Sequence, residues 1–62
     1  MRVFDSQNVL IKPFAFVTDG KGRTGKVNYI ISNDLIYVNW ISVYDKIIND
    51  FQEIKPNDLF VL

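Results

Sequence analysis

Seven consecutive residues, Gly20-Lys21-Gly22-Arg23-Thr24-Gly25-Lys26, hold all three glycines of the chain and three of its seven cations. Their spacing, G-x-x-x-x-G-K, is that of a loop which cradles phosphate with backbone N–H groups and a lysine. The next position of that signature carries a hydroxyl that holds Mg²⁺, and here it is Val27. A helix must also follow, so that its amino end faces the phosphate. Val27-Asn28-Tyr29-Ile30-Ile31 instead has the β-branched and aromatic composition of a strand. Nucleotide hydrolysis is therefore not expected here. What Lys21, Arg23 and Lys26 offer is electrostatic, because each phosphate that a cation neutralises releases counterions and strengthens binding. Exposed hairpin loops also carry charge for solubility alone, so the same three residues equally fit a solvated turn.

Four aromatic residues, Tyr29, Tyr37, Trp40 and Tyr44, have the chemistry of a stacking platform for bases or of a groove for an extended peptide. Trp40 lies in phase with Ile36 and Val38, which predicts a core or barrel-rim position with a partner for its indole N–H. Tyr37 is in the opposite phase and is expected to be the most exposed of the four. Asp45, Asp50, Glu53 and Asp58 lack ligand-like spacing and are expected as solvated turn residues, with Asn57 and Asp58 shaping a turn through their side chains. The sequence contains neither His nor Cys. That removes the imidazole base, the thiol nucleophile, the zinc knuckle and the disulfide together. No catalytic residue, metal or cofactor is expected, nor a small-molecule substrate.

The 62 residues carry seven cations and seven acidic groups. The balance is uneven along the chain: five cations against two acids up to Lys26, and two against five beyond it. Any anion-attracting surface should be local to Lys21–Lys26 rather than a general basic coat. No apolar run is long enough for a spanning helix, and Met1-Arg2-Val3-Phe4-Asp5 has no signal-peptide layout, so a cytoplasmic protein without membrane contact is expected.

The elements that must position these groups read as strands of a single domain, residues 1–62. Apolar runs are short and rich in Val, Ile, Phe and Tyr. Residues 9–18 predict one strand interrupted by Pro13. The glycine segment turns the chain into a strand from Lys26 to Ser32, Asn33-Asp34 makes a two-residue hairpin turn, and Leu35–Ile41 runs back. Ser42–Asp50 mixes helical spacing of Val43, Ile47 and Phe51 with strand composition; it is assigned to a long hairpin loop feeding a strand from about Ile47 to Ile54. A tight turn at Lys55–Asp58 then precedes a closing strand, Leu59–Leu62.

Lys21-Gly22-Arg23-Thr24-Gly25-Lys26-Val27, followed by Ile30 and then by Ile36-Tyr37-Val38, resembles the KOW motif of ribosomal and NusG-type transcription factors, K-G-x-x-G-x-V-x-x-I, a turn, then V-x-V. The match spans about residues 20–40, and Val9–Thr18 lacks the Gly-Asp-x-Val lead-in usual in that family. The spacing has a physical reason. Gly20, Gly22 and Gly25 form the structural loop, with Gly22 and Gly25 permitting a close strand crossing. Val27 and Ile30 point inward across a bend, and Ile36 and Val38 return to the same core. The resemblance implies a small SH3-like β-barrel, a class that in general binds RNA, DNA or proteins of the transcription and translation machinery.

The expected fold is thus all-β, an SH3-like antiparallel barrel of about five short strands. Its expected core is Val9, Ile11, Phe16, Val27, Ile30, Ile36, Val38, Ile54 and Leu59. The expected function is a non-enzymatic binding module. Lys21, Arg23, Lys26, Tyr29 and Tyr37 are its contact residues, toward nucleic acid or a protein of the gene-expression machinery. The alternative is an adaptor that recognises a peptide or protein surface without nucleic acid. A composition rich in Ile, Asn, Lys, Asp and Tyr is that of an A·T-rich genome, which suits a phage or mobile-element accessory protein.

Overall fold

A computed structural model describes residues 2–62. The fold is all-β, five antiparallel strands in one sheet, consistent with a small SH3-like barrel. The strands are β1 (Phe16–Thr18), β2 (Arg23–Ser32), β3 (Leu35–Val43), β4 (Lys46–Ile54) and β5 (Phe60–Val61), in the order β4-β3-β2-β1-β5. A single 3-10 turn, Pro56–Asp58, joins β4 to β5, and no α-helix occurs among the described residues. None of their helices is long and apolar enough to cross a membrane.

β2, β3 and β4 form a long meander. Asn33-Asp34 closes its first hairpin as expected, with Ser32 paired to Leu35. The second hairpin differs from expectation. Residues 42–50 hold no long loop: Val43 pairs with Lys46, and only Tyr44 and Asp45 turn, both at positive φ, 48° and 67°. Two left-handed residues in a row give the twist that a two-residue hairpin needs. The helical spacing of Val43, Ile47 and Phe51 is incidental to a strand that shifts register between Trp40 and Ser42.

The chain before β2 departs further. Residues 9–18 are not one strand. Leu10 makes an isolated bridge to Phe4, Pro13-Phe14 turns the chain, and only Phe16–Thr18 joins the sheet. The turn resets the inside-outside phase, so Val17 is buried while Phe16 and Val9 are 49% and 44% exposed. The buried core is Val3, Ile11, Val17, Val27, Ile36, Val38, Trp40 and Leu59, with Ile30 and Ile54 packed against it. Val9 and Phe16 are thus not core residues, and Val3 and Val17 take their places. β2 and β3 do follow the expected phase, Val27 pairing with Val38 and Ile30 with Ile36.

The N-terminal segment is fastened by a carboxylate. Asp5, 6% exposed, accepts the N–H groups of Gln7 and Val9 at Oδ1 (2.9 and 2.8 Å) and of Val61 at Oδ2 (2.7 Å). Burial pushes its pKa up, but the three donors outweigh that and hold it below its ordinary 3.8. One ionised side chain thereby joins residues 5–9 to the last strand.

Candidate binding surfaces on the two faces of the meander

The five expected contact residues do not form one site. In β2, Arg23, Gly25 and Val27 alternate toward the interior, while Thr24 and Lys26 face out. The basic loop is therefore divided between the mouth of the barrel and the outer face of the sheet.

At the mouth, Arg23 is fixed from three sides. Its Nε donates to Asp19 Oδ2 at 2.7 Å, its Nη1 donates to Gln52 Oε1 at 3.3 Å, and its guanidinium carbon lies 4.0 Å from the Trp40 ring centroid. Gln52 Oε1 also accepts the Trp40 indole N–H at 2.9 Å, so the buried tryptophan has the partner that its N–H requires. Asp19 Oδ1 meanwhile accepts the N–H groups of Lys21 and Arg23 at 2.8 and 3.1 Å. Burial raises the Asp19 pKa, yet the bond from the Arg23 side chain, the two N–H donors and the guanidinium charge bring it below 3.8. An open cavity of about 390 Å³ lies here, lined by Asp19, Lys21, Arg23, Ile54 and Asp58. Two acids and two bases line it, so its net charge is balanced. Arg23 is a structural cation with 31% of its side chain exposed, and of the expected basic trio only Lys21 stands exposed without such partners at this end.

The glycines set this geometry. A Cβ on Gly25 would lie 2.7 Å from Val38 Cγ1, 2.8 Å from Trp40 Cε3 and 2.9 Å from the Asn39 carbonyl, so β2 crosses β3 where no side chain fits. Gly22 adopts φ +95° beneath the Tyr44 ring, which closes the neighbouring turn. Gly20 adopts φ +74° beside Phe60.

The outer face collects the rest. Lys26, Asn39 and Phe51 lie opposite one another across β2, β3 and β4, with Phe16 paired to Lys26 on β1. In the next row Tyr29 pairs with Tyr37, and Tyr37 with Glu53. The rings form a column: Tyr29 to Tyr37 at 5.1 Å with 26° between planes, Tyr37 to Phe51 at 5.5 Å with 14°. Tyr29 is 54% exposed, whereas Tyr37 sits between two rings and is half-buried; it is not the most exposed aromatic. Tyr44 is more exposed than either but stands apart, at the hairpin turn.

Phe14 and Phe51 belong to this surface and were not expected there, while Asn39 shares it with Tyr37 as strand alternation requires. Phe14 is 63% exposed at φ +70°, and the Lys26 ammonium lies 5.4 Å from its ring centroid. A bulky side chain in the left-handed region carries a strain of about 1–3 kcal/mol. The proline before it was the only available signal of a turn. Asn39 Oδ1 is buried in the central row without a hydrogen-bond partner. Such an orphan acceptor costs about 1–3 kcal/mol.

Asp45 and Asp58 lie exposed in turns as expected, but the other two acidic residues do not. Asp50 and Glu53 lie within β4 rather than in turns, and Asn57 and Asp58 shape their turn through backbone bonds, Asp58 N–H to the Lys55 carbonyl and Leu59 N–H to that of Pro56. No cluster of acidic side chains that could hold a metal occurs among the described residues. No family model, no curated protein and no solved structure matches this chain.

Proposed function

We propose that the domain is a non-enzymatic binding module that docks on a protein of the gene-expression machinery through the outer face of β2–β3–β4. Lys26, Tyr29 and Tyr37 are contact residues, joined by Phe14 and Phe51. The observation that carries this reading is the exposed aromatic column beside a strained, solvent-facing Phe14. An apolar patch of this kind, rimmed by charge, is the usual mark of an interaction surface. The KOW-like segment supports the gene-expression class, and a working place in the cytoplasm and an origin in a phage or mobile element belong to the same reading.

A protein partner is favoured over a nucleic-acid strand for two reasons. Arg23 is spent within the fold, which leaves Lys26 as the one expected cation on this face. Backbone binders in general neutralise several phosphates. The rings also turn their flat sides to each other and present their edges, which leaves little face for bases to stack upon. Lys21 and Lys26 still carry free charge, and this is what supports the nucleic-acid reading as the second choice.

The test is capture from lysate with and without nuclease, comparing the natural chain with Tyr29→Ser and Lys26→Ala. Capture that survives nuclease and is lost in Tyr29→Ser, with the variant shown by its melting curve to be folded, is expected. Capture abolished by nuclease, with a salt slope reduced by about one charge in Lys26→Ala, would move the assignment to nucleic acid. Turnover of a substrate by the purified domain would overturn both.

A further inference from the structure

We infer that two copies of the domain associate through the free edge of β4, antiparallel, about a two-fold axis that passes beside Phe51. The inference stands independently of what the outer face binds.

β4 is last in the sheet, and among the described residues nothing pairs with its second edge. Its nine residues contain neither Pro nor Gly, and seven of them are exposed. Ile47, 91% exposed, and Phe51 both lie on it. An edge of nine residues blunted only by the charges of Lys46, Asp50 and Glu53 still presents its unpaired N–H and C=O groups as a template for another strand. The opposite end of the sheet is closed. β5 has two residues, the Val61 N–H is held by Asp5, and the Ser6 N–H occupies the Leu59 carbonyl. A head-to-tail chain of sheets, β4 of one copy on β5 of the next, therefore lacks its receiving edge. A self-complementary β4–β4 contact, which closes at two copies, remains.

Among the registers that pair seven or more residues of β4 with one another, the sequence selects one. Residues opposite each other in an antiparallel pair point to the same face, so a two-fold pairing must centre on one residue. Centring on Asp50 would oppose two carboxylates. Centring on Asn49 would set Ile48 against Asp50. Centring on Phe51 sets Asp50 against Gln52, Asn49 against Glu53 and Ile48 against Ile54, with no like charges opposed and apolar matched to apolar. It also continues the aromatic column. The stack ends at Phe51, whose outer ring face borders the free edge, and its 5.1 and 5.5 Å spacings are those of neighbouring strands. Phe51 of a second copy would stack next, joining the two columns across the axis. An edge contact is smaller than the roughly 1,200 Å² of a standard interface, so the dimer should form only as concentration rises.

Sedimentation equilibrium of the whole chain across a wide concentration range tests this. A monomer–dimer equilibrium is expected, with concentration-dependent slowing of amide exchange within residues 48–54. Phe51→Lys and Phe51→Glu should each weaken association at least tenfold by placing like charges across the axis. An equimolar mixture of the two, each verified as folded by its melting curve, should associate again because opposite charges then meet. A monomer at every concentration, or a dimer indifferent to both substitutions, would overturn the proposal. Weakened dimers that the mixture fails to restore would overturn the register centred on Phe51. Should either variant fail to fold, the exchange profile of the natural chain decides: protection that does not change with concentration excludes the edge.

Discussion

At the mouth of the barrel Arg23, Asp19, Gln52 and the Trp40 indole satisfy one another, while on the outer face of the same strands Phe14 is strained, Asn39 is orphaned and a column of rings meets water. Both regions draw on β2, β3 and β4, and even on adjacent residues of β2. The difference separates two kinds of group on one small sheet. Polar groups that answer each other inside the chain stabilise it, and a cation held so firmly has little left for a partner. Groups left unanswered, a left-handed Phe14 and a ring column open to water, add no such stability, and they lie on the face proposed above to dock a partner.

The most severe way to break both regions at once is at their shared floor. Gly25→Val would drive a side chain into Val38, Trp40 and the Asn39 carbonyl, and backbone cannot yield as a flexible side chain would. The expected loss is about 3 kcal/mol, the upper end for overpacking. A chain of this length has only about 3–9 kcal/mol in total, at roughly 0.05–0.15 kcal/mol per residue. Thermal and urea unfolding measure it, and an unchanged midpoint would show that the close crossing is not required.

That crossing was legible in the sequence, and the reason is local. Gly22 and Gly25 stand at fixed spacing before Val27, and the alternation of Ile36, Val38 and Trp40 leaves only one inward face. The hairpin at Tyr44-Asp45 was not legible, because neither residue announces positive φ as glycine or an Asn-Gly pair does. The error at Val9 and Phe16 has the same origin. A pattern of period two carries phase only within one strand, and the turn at Pro13-Phe14 resets it. The site divided for a further reason: spacing placed Lys21, Arg23 and Lys26 together along the chain, but strand alternation sends Arg23 and Lys26 to opposite faces. Its capture by Asp19, Trp40 and Gln52 depends on pairings across the sheet that no local pattern encodes.

Asp5 extends the satisfied class to the other end of the chain, and its replacement sharpens the contrast. In Asp5→Asn the oxygen retained at Oδ1 can still accept from Gln7 and Val9, but an amide nitrogen would then face the Val61 N–H, donor against donor. A loss of about 2 kcal/mol is expected from the charge-assisted bonds. The pH dependence has a fixed sign. Asp5 and Asp19 both hold folded pKa values below the ordinary 3.8, so their contribution is complete above that value and is lost as pH falls below it through the folded pKa. Melting temperature should decline in acid below about pH 4, and the decline should be shallower in Asp5→Asn. An equally steep decline would show that other carboxylates dominate.

Gln52→Ala tests the mouth alone. It leaves the buried Trp40 N–H without an acceptor and frees one side of the guanidinium, for an expected loss of about 1.5 kcal/mol, within the range for an orphaned buried donor. The Trp40 fluorescence should shift as the indole environment changes. The aromatic column, which Gln52 does not touch, should keep its near-ultraviolet circular dichroism from tyrosine. Capture through the outer face should survive as well, and its disappearance would mean that the two regions are one site.

The smallest expected change in stability is also the one of opposite sign. Asn tolerates the left-handed region that Phe14 occupies at φ +70°, and Phe14 is mostly exposed, so little burial is lost on its replacement. Phe14→Asn should therefore relieve strain while giving up the weak contact with the Lys26 ammonium, worth about 0.5–1 kcal/mol at an exposed site. The net is a stabilisation of about 0.5 kcal/mol, given a strain of about 1–3 kcal/mol, and a melting temperature higher by a few degrees. If the outer face is a docking surface, the same substitution should weaken capture of the partner. A more stable domain that binds less well is what strain retained for function predicts. A variant that is more stable and binds as before would leave the strained phenylalanine without a role, and would confine the contact surface to the column and Lys26.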